Sequence, residues 1–200
     1  LHKAIRRQRQ MCIRDRTYSG RPNRKTPAAP DDPECGTRRN QRSPAEVKTM
    51  SRVDFYHLQN QRLEDVLPKL LEKAYGTGKK IVVKIGNEER VEFLNSLLWT
   101  YNDTSFLPHG SRKDGFADMQ PIWLTAGDDV PNGAEFLFLT DGARTDWETI
   151  SRFERVFNIF DGNSEESLTQ ARQMWKELKQ QDADVFYWQQ NENGSWQQKG

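Results

Sequence analysis

Along residues 50–200, short apolar runs alternate with stretches whose apolar residues recur at helical spacing, and this alternation most limits what the chain can fold into. Arg52–His57 reads as a strand, with Val53, Phe55 and His57 alternating with Asp54 and Tyr56. Apolar residues at 63, 66, 67, 70, 71 and 74 then form a helical stripe. Pro68 sits inside it, so a helix begins near Asp65 or bends there. Gly76 and Gly78 end it. Lys80–Ile85 is a second strand, apolar and β-branched. Asn87 can cap a second helix, with Glu88 and Glu89 near its positive end and Val91, Leu94, Leu97 and Leu98 as its buried face.

A loop over Trp99–Gly110 and a polar excursion to Gln120 follow. Pro121–Thr125 and Glu135–Thr140 read as two more strands, expected to form an antiparallel excursion around Ala126–Gly133. Asp146 can cap a short helix over Trp147–Phe153. Arg155–Phe160 is a strand, Ser164–Gln181 a helix and Asp184–Gln189 a strand, which Asn193-Gly194 turns into a short final one, Ser195–Lys199. Helices alternating with nearly continuous apolar strands predict an α/β layered fold with a mixed, largely parallel central sheet.

Charge divides the chain. Residues 1–49 hold 13 Lys and Arg against 5 Asp and Glu, whereas residues 50–200 hold 17 against 24. The acidic part is a poor direct ligand for phosphate backbones, so any link to DNA is expected to be indirect. Residues 1–49 are Arg-, Pro- and Ser-rich and are expected to be a disordered basic tail. A nucleic-acid-binding arm, a linker and upstream sequence not naturally translated all fit this tail; the last is favoured, because Met50 stands directly before a clean strand. Both cysteines, Cys12 and Cys35, lie in it, so residues 50–200 carry no disulfide framework, thiolate metal site or cysteine nucleophile. No apolar run is long enough to span a membrane, no secretory apolar segment is present, and a cytoplasmic location is expected.

Catalytic signals are weak. Gly76-Thr-Gly-Lys-Lys80 resembles the end of a phosphate-binding loop, but position 73 is Lys where Gly is needed. Lys80 stands where Ser or Thr is needed, and the order is helix then strand, the reverse of that motif. A helix C-cap explains it. His2, His57 and His109 do not pair at metal-ligand spacing. His57 at a strand end reads as structural, and His109 can orient its loop. Asp103, Asp128, Asp129 and Asp141 read as turn carboxylates.

Two places carry more. Leu98–Gly110 puts Trp99 and Phe106 on a connecting segment, where large rings either cap a core or wait for a partner. On the last long helix Arg172, Trp175 and Lys176 stand at i, i+3 and i+4 and share one face. Two cations beside an aromatic ring suit a peptide that ends in an aromatic residue and a carboxylate. Leu168, Ala171, Met174 and Leu178 define that helix's core stripe, and Trp175 can equally belong to its edge.

Residues 50–200 also resemble the chi subunit family of bacterial DNA polymerase III. The likeness is carried by Val53-Asp-Phe-Tyr-His57, by Leu98-Trp99 with Ser105-Phe-Leu-Pro-His109, and by Ala171-Arg-Gln-Met-Trp-Lys176. Tyr187-Trp188 and Gly194-Ser-Trp196 add to it. The resemblance implies a Rossmann-like three-layer fold without the nucleotide site, and no cofactor, metal or catalysis of its own. It implies a non-catalytic adaptor of the clamp-loader complex. Such an adaptor binds the psi subunit, placed by the likeness at Trp99 and Phe106. It also binds the acidic, Phe-ending C-terminal tail of single-stranded DNA-binding protein (SSB), placed at Arg172, Trp175 and Lys176. Some members carry a further basic residue a turn earlier on this helix, where this chain has Glu165, Glu166 and Leu168. Two alternatives remain: an adaptor for a repair helicase using the Trp99/Phe106 surface, and a nucleotide-dependent α/β enzyme, which would need a glycine-rich strand-to-helix turn.

Overall fold

The computed structural model describes residues 51–181, 183–191 and 193–199. The basic tail 1–49, its two cysteines and Met50 lie outside the described residues.

Among the described residues eight strands form one sheet: β1 (Arg52–Leu58), β2 (Ile81–Ile85), β3 (His109–Ser111), β4 (Ile122–Thr125), β5 (Phe136–Thr140), β6 (Arg155–Asp161), β7 (Asp184–Gln190) and β8 (Trp196–Gln198). Their order is β3-β4-β2-β5-β6-β1-β7-β8. Every pairing is parallel except β7 with β8. Four α-helices of the described residues, α1 (Leu63–Tyr75), α2 (Glu88–Leu98), α3 (Trp147–Ile150) and α4 (Glu165–Lys179), complete a Rossmann-like α/β fold.

The sheet is buried on both sides, so neighbouring residues of one strand serve different cores. Ile81, Val83 and Ile85 of β2 pack with Leu67, Leu71, Leu94 and Leu98 of α1 and α2. Val82 between them packs with Leu139, Ile150, Ala171 and Leu178 on the α3/α4 side. Each such side chain contributes about 1.5–3 kcal/mol when fully buried, which explains why the strands read as continuous apolar runs.

Helix α1 starts at Leu63, two residues before Asp65, and continues through Pro68. Pro68 is itself buried on the apolar stripe, so packing of Val66, Leu67, Leu70 and Leu71 offsets the missing N–H. The Gly76–Lys80 segment closes this helix as expected: Gly76 N–H donates to the Glu72 carbonyl and Gly78 takes φ 77°. Asn87, Asp146 and Ser164 each accept a backbone N–H at the start of their helices.

The expected antiparallel pairing of the two strands within Pro121–Thr140 is wrong. β4 and β5 flank β2 and both run parallel to it: Val82 faces Trp123 on one side and Leu137 on the other. The intervening chain returns to the starting end of the sheet without a helix. Buried Asn132 secures that return, donating from Nδ2 to the carbonyls of Ile81 and Gln120, each at 3.0 Å. The apolar pattern of the two strands specifies burial but not the partner. β3 spans the end of the expected loop and the start of the expected polar excursion, its three residues lacking any apolar alternation and defined only by pairing with β4.

Candidate functional site

At the C-terminal end of α2 the chain turns at Trp99 and runs outward to Phe106. Their rings lie 6.1 Å apart and are 52% and 68% exposed. They do not cap the core; Leu98 and Leu107, their chain neighbours, do. Trp99 also rests against His109, ring centroids 4.6 Å apart. His109 is buried between two carbonyls, with Nδ1 2.7 Å from Leu107 O and Nε2 3.1 Å from Asn95 O. The loop is anchored to α1 through Glu72, whose carboxylate accepts from the hydroxyls of Ser105 and Tyr101. Those bonds hold the Glu72 carboxyl below its ordinary pKa, Ser105 contributing most. The result is a pair of solvent-facing rings on a fixed loop.

On the other side of the sheet α4 presents Arg172, Trp175 and Lys176 as spacing predicted. Arg172 and Lys176 are exposed and Trp175 is half-buried. Trp175 packs edge-on against Phe55 at 5.2 Å and against Tyr187 at 6.2 Å. It belongs to the edge of the core while keeping part of its ring outside. The cation over that ring is Lys179, with Nζ 5.3 Å from the centroid. Tyr187 pairs through its hydroxyl with His57 Nδ1 at 2.6 Å, and His57 stacks on Phe160. Burial lowers the His57 pKa, with Asp161 opposing and the Arg172 charge adding to the shift. Burial raises that of Tyr187, with Arg172 opposing. Arg172, His57, Tyr187 and Trp175 are therefore one electrostatic neighbourhood. Gly162 adjoins it so closely that a Cβ there would meet His57 Nε2.

The profile of the family described as DNA polymerase III chi subunit, HolC, matches residues 50–185. The chain belongs to the DNA polymerase III chi subunit family. A relative named probable DNA polymerase III subunit chi, from Rickettsia prowazekii (strain Madrid E), is 34% identical over 120 residues, covering 58% of this chain and 73% of that protein. All five residues singled out from the sequence, Trp99, Phe106, Arg172, Trp175 and Lys176, lie within the family match. Trp188 and Trp196 lie beyond it.

In this chi-family chain the crevice over the carboxyl ends of β1, β5 and β6, where doubly wound folds hold ligands, is crossed by an ion triad. Arg90 bridges Glu64 at 2.8 Å and Asp141 at 3.0 Å. Of the acids read as turn carboxylates, Asp129 acts locally, accepting from Trp123 Nε1 and Thr125 Oγ1, whereas Asp128 pairs with Lys84 of β2 and Asp141 belongs to the triad. No helix of the described residues is long and apolar enough to cross a membrane.

Sequence reasoning missed Lys179, Tyr187, His57 as a partner of Tyr187, and the Glu72 anchor. Lys179 was findable, four residues after Trp175 on the same face. The His57–Tyr187 pair spans 130 positions and left no local signal.

Proposed function

We propose that this chi-family subunit is a non-catalytic adaptor that links the clamp-loader complex, through psi, to the C-terminal tail of SSB. The observation that carries the reading is the exposed Trp99/Phe106 pair, held on a loop that is tied down at Glu72. Rigid aromatic anchors that remain in solvent suit a partner that buries them, and truncating such anchors costs about 2 kcal/mol or more of binding. The second site is the α4 face. Arg172, Lys176 and Lys179 supply positive charge, and Trp175 and Tyr187 supply an apolar wall. An acidic peptide ending in Phe and a free carboxylate matches both parts.

The two sites lie on opposite faces of the sheet, so one protein can hold both partners at once. Titration calorimetry tests this. Trp99→Ala with Phe106→Ala abolishes psi binding and leaves the SSB tail peptide bound; Arg172→Glu with Lys176→Glu does the reverse. Loss of both partners in a folded variant, or of neither, contradicts the assignment.

A further inference from the structure

The α1 face of the sheet carries another set of rings and cations. Asp54 and Tyr56 pair in register with Phe186 and Trp188, and Gln190 pairs with Trp196, so all six point to that face. Tyr56 is buried, with Trp188 stacked at 6.1 Å and Trp196 edge-on at 4.8 Å. Trp188 and Trp196 are only half-buried. Trp196 walls an open groove of about 420 Å³ whose opposite wall is α1, with Lys69 and Lys73. Both lysines are exposed, and among the described residues no carboxylate lies within 4 Å of either. On the same face Arg52 and Arg155 lie over the Phe186 and Phe157 rings at 4.2 and 4.6 Å, both fixed by the buried Asp54 carboxylate.

We infer that this groove and the rings beside it bind single-stranded nucleic acid. Half-exposed indoles offer faces on which unpaired bases stack whatever their sequence, and lysines along one wall meet the phosphates between them. A duplex keeps its base faces inside its own stack and can use only the cations. An acidic peptide has the charge but no row of flat rings. The acidic balance of residues 50–200 does not oppose this, because exposed charges beyond about 10 Å are largely screened at moderate salt. The surface lies across the sheet from Arg172, Trp175 and Lys176, so it is separate from the proposed tail site and does not rest on it.

The test is fluorescence anisotropy of a labelled oligothymidylate, about 20 nucleotides long, with the full chain in a salt series that starts at about 0.1 M. Lys69→Glu with Lys73→Glu lowers affinity about tenfold or more and reduces the slope of log affinity against log salt by about 1.4, the share of two phosphates on a single strand. Trp196→Ala lowers affinity about tenfold and Trp196→Phe restores most of it. Melting curves accompany each variant; the lysine pair is exposed and leaves the fold unchanged, which keeps the proposal testable if Trp196→Ala unfolds. Unchanged affinity in the lysine variant overturns the inference and assigns binding elsewhere, the basic segment 1–49 included. Equal affinity for duplex and single strand, or displacement of the oligonucleotide by an acidic peptide at equal charge, overturns it as well.

Discussion

The Tyr101 hydroxyl lies 2.7 Å from Glu72 Oε1, joining the loop that carries Trp99 and Phe106 to helix α1. Ser105 donates to the same oxygen, and its hydroxyl lies 2.6 Å from that of Tyr101. A carboxylate on one helix thus ties down the stretch of loop between the two rings.

Glu72→Ala releases that loop without removing either ring. Psi binding is expected to weaken about tenfold through the cost of ordering the loop on association. Global stability falls by no more than about 1 kcal/mol, since the carboxylate is only partly buried. Calorimetry against psi, with chemical denaturation alongside, checks this; full affinity in the variant means that the loop holds itself.

Phe106→Ala should leave stability within about 0.5 kcal/mol, because the ring is mostly in solvent. Binding should fall by about 2 kcal/mol or more. Urea melts and a psi titration on the same preparation separate the two effects. A large loss of stability would place the ring in the core after all.

Asp54 is a fully buried carboxylate that accepts from Arg52, from Arg155 and from Trp188 Nε1 at 2.7 Å. Asp54→Ala leaves two guanidiniums without their counter-ion and is expected to cost about 3 kcal/mol. Urea unfolding at neutral pH reads this directly, and a change under about 1 kcal/mol would show that solvent compensates both arginines.

Burial of His57 gives stability a pH dependence whose sign follows from the direction of its shift. Its folded pKa is lowered by burial, so below the unfolded value of about 6.5 the unfolded chain binds the proton more readily and stability falls as pH falls. That loss is complete once pH passes the folded value. His57→Gln should flatten the melting temperature just below pH 6.5 while other carboxylate-linked changes at lower pH persist. An unaltered profile in the variant would show that His57 protonates freely in the folded protein.

Much of the fold was legible because its local rules agree. The helix caps at Asn87, Asp146 and Ser164 and the apolar strands all form where patterning puts them. The order of strands was not legible. The continuous apolar runs of β4 and β5 record that both are buried, whereas the place of β2 between them rests on pairings distant in sequence, and Asn132 fastens the return through the carbonyls of Ile81 and Gln120. Asp54 shows the same limit: it occupies the polar phase of a strand that reads as half-solvated, yet its partners at 155 and 188 remove it from water. Exposure of Trp99 and Phe106 could not be read from composition, which allowed core and surface alike. For Arg172, Trp175 and Lys176, helical spacing gave the shared face, but the wall behind Trp175 comes from β1 and β7.

The proposed bridging role is tested most directly by capture of psi on SSB-coated single-stranded DNA. With the wild-type chain, psi is retained. The Trp99→Ala/Phe106→Ala protein stays on the SSB filament but leaves psi in solution, and the Arg172→Glu/Lys176→Glu protein leaves both in solution. Retention of psi without the chain, or undiminished retention with either variant, would contradict the adaptor account.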